Sequence, residues 1–527
     1  MGDPAAARER YYLTTAIFYP SAKPALHSMF EAIGADVIAR YQRLDGRDVR
    51  FLTGLDEHSA NVERDAREAG IDPHALIDPW ALTWKETFER YDISFDRFIR
   101  TTDADHADAS VEMVRRAQAN GDVYEGVYSG WYCTGCNEFK TDQQLVDGRC
   151  PDHPTLEPQW LEEANYFFRL SAYQERLERL YADNPSFCEP EHFRNEVLGW
   201  LREGLRDFSI SRSGTTWGIP FPGDERHRIY VWFDALTNYL TGAGFPNEPD
   251  AFGRWWPADL HVIGKNITRF HCLYWPAMLM SAGLPLPRQV FAHGFMYDVG
   301  GQRMSKTTGN TEDPDDMADR FGVDGVRYAV LREVPFDRDA NVTLDGFVRR
   351  YNADLANDLG NLVNRTVSMT NRYLDGSLPP VAGAVQPADL EVRDTAARVV
   401  AEYRSALERF HLDEALAAML ELTHAANGYA EGQAPWSLHK QGEAERVGQV
   451  LAVMAEACRI VGHLLAPVAP RGARRVHEQL GVPVPYDERG GGGPGLDALT
   501  AWGGGPTEWR TTTPEPIFPR VDAEALV

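Results

Sequence analysis

From Tyr11 onward, short β-branched or aromatic runs alternate with longer stretches of helical spacing. "YYLTT" (Tyr11–Thr15) predicts a buried strand. After a proline-containing loop, apolar residues at Ile33, Val37, Ile38, Tyr41 and Leu44 predict a helix. "DGRD" marks a turn, and "VRFLTG" (Val49–Gly54) predicts the next strand. Strand, helix and strand in this order predict a parallel βαβ unit, hence an α/β fold. Ligands of such sheets bind beyond the carboxyl ends of the strands, which here are Thr14–Tyr19 and Thr53–His58.

Strand-like runs return at "IYVWFDAL" (Ile229–Leu236), "DLHVIGK" (Asp259–Lys265) and "RQVFAHGF" (Arg288–Phe295). The parallel-sheet domain is therefore expected in two halves, 1–115 and 226–346, split by an insertion over 116–225. From about Phe347 the pattern becomes helical, through "NADLANDLGNLVNRTVSM" (Asn352–Met369) and "SALERFHLDEALAAML" (Ser405–Leu420). An α-helical bundle is expected over 347–480. "ERGGGGPG" and "GGGP" predict an extended, Gly-rich tail over 481–527.

Composition narrows the class. The chain has 527 residues, 43% of them hydrophobic, which supports several packed domains. No unbroken apolar run of about 18 residues is present, so no membrane span is expected. "MGDPAAARERYYLTT" lacks the apolar stretch of a signal peptide, and six cysteines are too few for a disulfide framework. A cytoplasmic location and a monomer are expected. The formal charge of −25 argues against a general nucleic-acid coat but allows one RNA partner bound through local patches.

Two motifs carry chemistry. Cys133-x2-Cys136 and Cys150-x2-His153 are two knuckles that can converge on one tetrahedral metal. Thiolate and imidazole ligands favour Zn²⁺, and a closed set of four is structural. Cys188, Cys272 and Cys458 are expected to be buried as small apolar groups. The second motif is "GGQRMSKTTGN" (Gly300–Asn310), a glycine-flanked loop carrying Arg303 and Lys306. Two such cations suit the neutralisation of a triphosphate as charge builds up.

"RMSKT" resembles the Lys-Met-Ser-Lys-Ser signature of class I aminoacyl-tRNA synthetases. The chain resembles the methionyl-tRNA synthetase family through "YYLTTAIFYP", "VRFLTGLDEHS", "FDRFIRTTDADH", "YVWFDALTNYL", "HVIGKNITRFHCLYWPAML", "DLANDLGNLVNR" and "GYAEGQAPW", in family order from residue 11 to about 470. The resemblance implies a Rossmann-like catalytic domain split by a zinc-binding insertion and followed by a helical anticodon-binding domain. It implies ATP with Mg²⁺, methionine and tRNA(Met) as substrates and partners.

Position by position, the resemblance implies a methionine pocket at Ala16, Ile17, Tyr19, Trp232, Ala235, Tyr239, Ile267 and His271. Asp56 matches the carboxylate that holds the substrate ammonium. Gly264, Asn266 and Lys306 match ATP contacts. Asn361, Arg365 and Trp436 match anticodon-reading positions, while Gly428 stands where the family often carries arginine.

One stretch departs. Where the family has Pro-His-Ile-Gly-His, this chain reads Pro24, Ala25, Leu26, His27, Ser28. Both family histidines are replaced, and the glycine has become His27. His27 and Ser28 remain as donors for the leaving pyrophosphate, beside Arg303 and Lys306. Further changes lie nearby: Asn266 for aspartate, Leu55 and Ser59 around Asp-Glu-His, and Arg303 for lysine. The changes gather around the nucleotide. Three readings stay open: an active or divergent methionyl-tRNA synthetase; a repurposed enzyme activating an amino acid for a non-tRNA acceptor, as in ester or N–N bond formation with an N-hydroxylated amine; and a non-catalytic binder of methionine or tRNA.

Overall fold

The computed structural model describes residues 8–522 except Ser21, Cys136, Asn137, Thr141, Asp152, Val299, residues 303–311 and residues 382–385. Its central element is a parallel sheet. β1 (Arg10–Phe18), β2 (Asp48–Leu55) and β3 (Arg97–Arg100) lie side by side on one flank. The strands Leu260–Gly264, Val290–His293 and Cys188–Glu189 continue it on the other. Every pairing is parallel, and Leu13 stands opposite both Phe51 and Leu260. Strand order thus reverses direction at β1. The crevice beyond the carboxyl ends of β1 and Leu260–Gly264 is the switch point where such sheets bind ligands.

α1 (Leu26–Leu44) leaves β1 and crosses to β2. Every one of its residues is buried except His27. It is therefore enclosed on all sides rather than half-exposed, and its charged residues must be paired. They are: Glu31 meets His293, Asp36 meets Arg40 and Arg327, and Arg43 meets Asp96.

Several elements differ from the sequence expectation. The run expected as a strand at Ile229–Leu236 is a strand only to Ile229, and Val231–Ala243 is a helix. Nearly all of that helix is buried, so its sequence shows the unbroken apolar run that strands and core helices share. The helical run at Ser405–Leu420 is two helices, Pro387–Glu408 and Leu412–Gln433, because Phe410 takes a left-handed conformation (φ 61°). The insertion is not one excursion, since Cys188–Glu189 within it forms the edge of the main sheet. The tail is packed rather than simply extended. It contributes a short helix, Leu496–Thr500, and a strand, Trp509–Arg510, paired with Ser377–Leu378. Trp509 and Phe518 are buried there against the helical bundle.

The helix Ala444–Leu465 is long and apolar enough to cross a membrane by length and composition, but 94% of its apolar window is buried inside the fold. Glu456 and Arg459 within it pair with each other at 2.6 Å. It is a core helix of the bundle, packed on Asn361–Leu374, Leu412–Gln433 and Pro470–Leu480.

Candidate active site

The crevice at the switch point is built from several segments distant from one another in the chain. Ala16 lies near the end of β1, and its backbone N–H donates to Glu31 Oε1 at 2.9 Å. The other Glu31 oxygen meets His293 Nε2 at 2.8 Å. A methyl group at Gly264 would lie 2.8 Å from Asn266 Oδ1 and 3.6 Å from His293 Nε2, so the glycine keeps this floor open. Ala16 and His293 thus share the buried Glu31 carboxylate, and Gly264 lies beside both Asn266 and His293.

The apolar wall comes from Val231–Ala243 and the π-helical turn Phe270–Tyr274. Trp232 stacks on Phe270 with ring centroids 3.8 Å apart. Tyr239 and His271 are both buried, with the Tyr239 hydroxyl 2.6 Å from His271 Nε2. His271 Nδ1 lies 3.0 Å from the Ile267 carbonyl oxygen. A carbonyl only accepts, so Nδ1 carries the proton and Nε2 accepts from Tyr239. Burial pushes the His271 imidazole down to about 4 and the Tyr239 phenol well above its ordinary range, so both stay neutral. Ala235 is buried on the same helix, and Ile17, Trp232 and Ile267 pack on the core cluster that holds Ala16 and Tyr239. A neutral aromatic and apolar wall with two pinned polar tips suits a thioether.

Asp56 follows the end of β2, and its backbone N–H donates to the Phe18 carbonyl at 2.9 Å. The residue is 2% exposed, and Oδ1 has no hydrogen-bond partner among the described residues. Burial, then the neighbouring charge of Asp234, push its carboxyl well above the ordinary range; the His58 backbone and the Tyr19 hydroxyl act the other way. An unsatisfied buried carboxylate is costly by itself and calls for a cationic partner.

Three residues behind Asp56 were not picked out from the sequence. Asp234 receives His58 Nδ1 at 2.6 Å and His106 Nε2 at 2.7 Å. Burial alone would raise the Asp234 carboxyl, but the two imidazoles outweigh it and hold the group well below its usual range. Glu31 and His293 were missed as well. The only available signal was a charged residue inside an otherwise apolar helix run, which by itself names no partner.

At the start of α1, Ala25 is the N-cap, no side chain caps the helix, and no acidic residue lies in its first turn. Ser28 is buried and His27 half-buried. The positive end of the helix dipole therefore faces the crevice without the family's imidazoles. Of the nearby departures, Leu55 is core, and Ser59 caps the helix Ala60–Ala69 through the Val62 N–H. Arg303, Lys306 and Gly309 lie outside the described residues, as does Cys136. The other knuckle residues do converge: the ligand atoms of Cys133, Cys150 and His153 lie within 4.8 Å of one another. A methyl group at Gly135 would sit 2.4 Å from the His153 ring, so only glycine lets this knuckle close.

On the bundle, Asn361 and Arg365 are one turn apart on Asn361–Leu374. The Arg365 guanidinium lies 5.6 Å from the Trp436 ring centroid and 2.7 Å from Glu431. Asn361 is exposed, and Arg365 and Trp436 are half-buried, so all three share an accessible patch. Gly428 is exposed, with nothing within 4 Å of where a side chain would start.

A parallel sheet with its crevice at the switch point, a split catalytic domain and a helical anticodon-type bundle define a class I aminoacyl-tRNA synthetase. The family model described as tRNA synthetases class I (M) matches residues 11–157 and 154–367, and that of the anticodon binding domain of methionyl tRNA ligase matches 379–521. The chain is 42% identical over 524 residues to a methionine–tRNA ligase of Thermosynechococcus vestitus, and 43% identical over 517 residues to one of Brucella suis biovar 1. Each alignment covers 98% of both chains. The fold is similar to Mycobacterium tuberculosis methionyl-tRNA synthetase in complex with methionyl-adenylate (TM-score 0.90, 44% identity, 97% of this chain and 100% of that one). The apo form of the same enzyme gives a TM-score of 0.84 at 40% identity, covering 99% and 100%. The chain belongs to the methionyl-tRNA synthetase family.

Proposed function

We propose that this protein activates methionine with ATP and transfers it to tRNA(Met). The observation that carries the reading is Asp56: a buried carboxylate with an unpartnered oxygen, set beside a neutral aromatic wall of thioether-compatible residues. An α-ammonium group entering there restores the charge balance that burial and Asp234 disturb. The amino-acid carboxylate is the nucleophile. In the reaction its oxygen attacks the α-phosphorus of ATP, the bond to the bridging oxygen breaks, and pyrophosphate leaves. The terminal ribose hydroxyl of tRNA next attacks the activated carbonyl and AMP departs.

Positioning and electrostatics carry both steps, with the α1 N-terminus, His27 and Ser28 on the phosphate side, the loop cations Arg303 and Lys306 neutralising the leaving pyrophosphate, and Mg²⁺ accompanying the nucleotide. Cys133, Cys150 and His153, with Cys136 as the fourth ligand, fit a structural Zn²⁺. Bound there, the metal would supply a fold-stabilising cross-link. Asn361, Arg365 and Trp436 read the anticodon by hydrogen bonding and stacking.

ATP–pyrophosphate exchange with the purified protein tests the reading. Methionine is expected to support exchange, Lys306→Ala to abolish it, and tRNA(Met) to be charged. A second reading rests on Ala25 and Ser28, which leave the phosphate side without its two imidazoles: activation for a non-tRNA acceptor. Exchange with another amino or N-hydroxyamino acid, without charging of tRNA, would establish that reading instead. Binding of methionine with no exchange would establish a non-catalytic paralogue.

A further inference from the structure

A segment of the insertion, Gly214–Gly218, reaches back across the fold to the backbone that carries Asp56. Gly214 (φ 78°) and Gly218 (φ 125°) take conformations that L side chains rarely adopt, and so turn the strap at both ends. Between them, Thr215 and Thr216 clasp one carboxylate. Thr215 Oγ1 donates to Glu63 Oε2 at 2.7 Å, while the Thr216 N–H and Oγ1 donate to Glu63 Oε1 at 2.9 and 3.0 Å. These bonds hold the Glu63 carboxyl below its ordinary range despite an opposing effect of burial. A second tie runs from the same helix, where Asn61 Nδ2 reaches the Thr134 carbonyl beside the cysteine knuckle at 3.3 Å.

The clasp delivers Trp217. Its indole N–H donates to the Glu57 carbonyl at 2.7 Å. Its ring meets the His58 imidazole edge-on at 5.3 Å and the His74 imidazole at 5.0 Å. Glu57 is the residue after Asp56. Its side chain is held separately, by Arg100 at 2.7 Å and Thr102 at 2.5 Å. His58 in turn holds Asp234, the neighbouring charge that acts on Asp56. Trp217 thus grips the backbone on one side of Asp56 and the imidazole next along, without being part of the thioether wall.

We propose that Trp217 is a positioning residue for the Asp56 carboxylate, and that the Gly214–Gly218 strap sets amino-acid affinity by fixing the ammonium anchor. The inference rests on the assignment of Asp56 to the substrate ammonium. It makes the insertion a determinant of amino-acid binding.

A double-mutant cycle on the full chain tests it, with methionine binding measured by calorimetry and exchange kinetics beside it. Trp217→Ala is expected to weaken methionine binding about 10-fold, the scale of one buried hydrogen bond and its packing. The effect should appear in the methionine KM, with kcat for exchange little changed. On an Asp56→Asn background, Trp217→Ala should cost nothing further. Trp217→Phe, which keeps the ring and loses the N–H, should restore part of the affinity. Glu63→Ala, a half-buried change that releases the clasp, should reproduce the direction of the effect in a protein that stays folded at the assay temperature, at a modest cost in stability from the three lost hydrogen bonds. Full additivity of Trp217→Ala and Asp56→Asn, or a loss confined to kcat, would overturn the proposal. No methionine binding by the unmodified protein would overturn the Asp56 assignment itself, a separate outcome.

Discussion

The C-terminal half of α1 is tied into the molecule by buried charge, whereas among the described residues no side chain caps its start at Ala25. Asp36 accepts Ser94 N at 2.6 Å and Ser94 Oγ at 2.5 Å on one oxygen, and Arg40 and Arg327 at 2.7 Å each on the other. Arg327 is fully buried and also donates to the carbonyls of Tyr91, Pro467 and Val468. One carboxylate thus joins the catalytic sheet, the helix Val323–Glu333 and the bundle. Burial alone would raise the Asp36 carboxyl; Arg40 and Arg327 outweigh it and bring it to about 2. Among the described residues, no buried ion pair involves Ala25 or Ser28. Substitutions at one end of this buried helix therefore alter chemistry, while substitutions at the other end break the fold.

The largest expected effect lies at the structural end. Asp36→Ala leaves Arg327 buried and unpaired, and should lower stability by about 3–5 kcal/mol in denaturant unfolding. The native pairing is lost only as pH falls through about 2, because a depressed carboxyl gives its stabilisation above its unfolded value. A loss under about 1 kcal/mol would erase the contrast between the two ends.

At the chemical end, Ala25→His combined with Ser28→His should raise the exchange rate about 100- to 1000-fold for each donor that reaches the leaving phosphates. Both positions are buried, so the added volume should cost about 1–3 kcal/mol of stability. An unchanged rate would show that the start of α1 no longer takes part in the chemistry.

Asp56→Asn should weaken methionine binding about 10- to 150-fold, the scale of one charge-assisted hydrogen bond. The same change should stabilise the ligand-free protein near neutral pH. Asp56 titrates well above its ordinary range, so its contribution to stability is present at low pH and is lost as pH rises through the folded value. A variant that binds poorly yet melts higher would separate function from fold beside the chemical end.

The smallest effect serves as a control remote from both ends. Gly428→Arg, in the interior of Leu412–Gln433 with open space around it, should add about 1 kcal/mol of helix stability. It should tighten tRNA binding and leave exchange unchanged; a change in exchange would reveal coupling that the two-ended view of α1 does not contain.

Much of the site was legible as a pattern of single residues. β1, α1, β2 and the strands at Leu260 and Val290 follow from local periodicity, and Cys133, Cys150 and His153 converge as their spacing foretells. Tyr239 and His271 meet through a 2.6 Å hydrogen bond, and Asp56 follows the end of β2. The helix Val231–Ala243 was misread because it is buried on all sides and shows no face. The break at Phe410 was missed because a left-handed residue in an apolar run carries no local mark. Asp234, Glu31 and Trp217 were not singled out because their meaning lies in partners distant in the chain.

Residue identity and short spacing are enough to give the order of the domains, the family, the ligand types of the knuckle and the altered start of α1. Which charges are buried together, that Asp56 keeps an unpartnered oxygen, and that a strap from the insertion grips the neighbouring backbone emerge on folding alone. Those properties arise where distant segments exclude water from the same polar atoms, and no local pattern records that meeting.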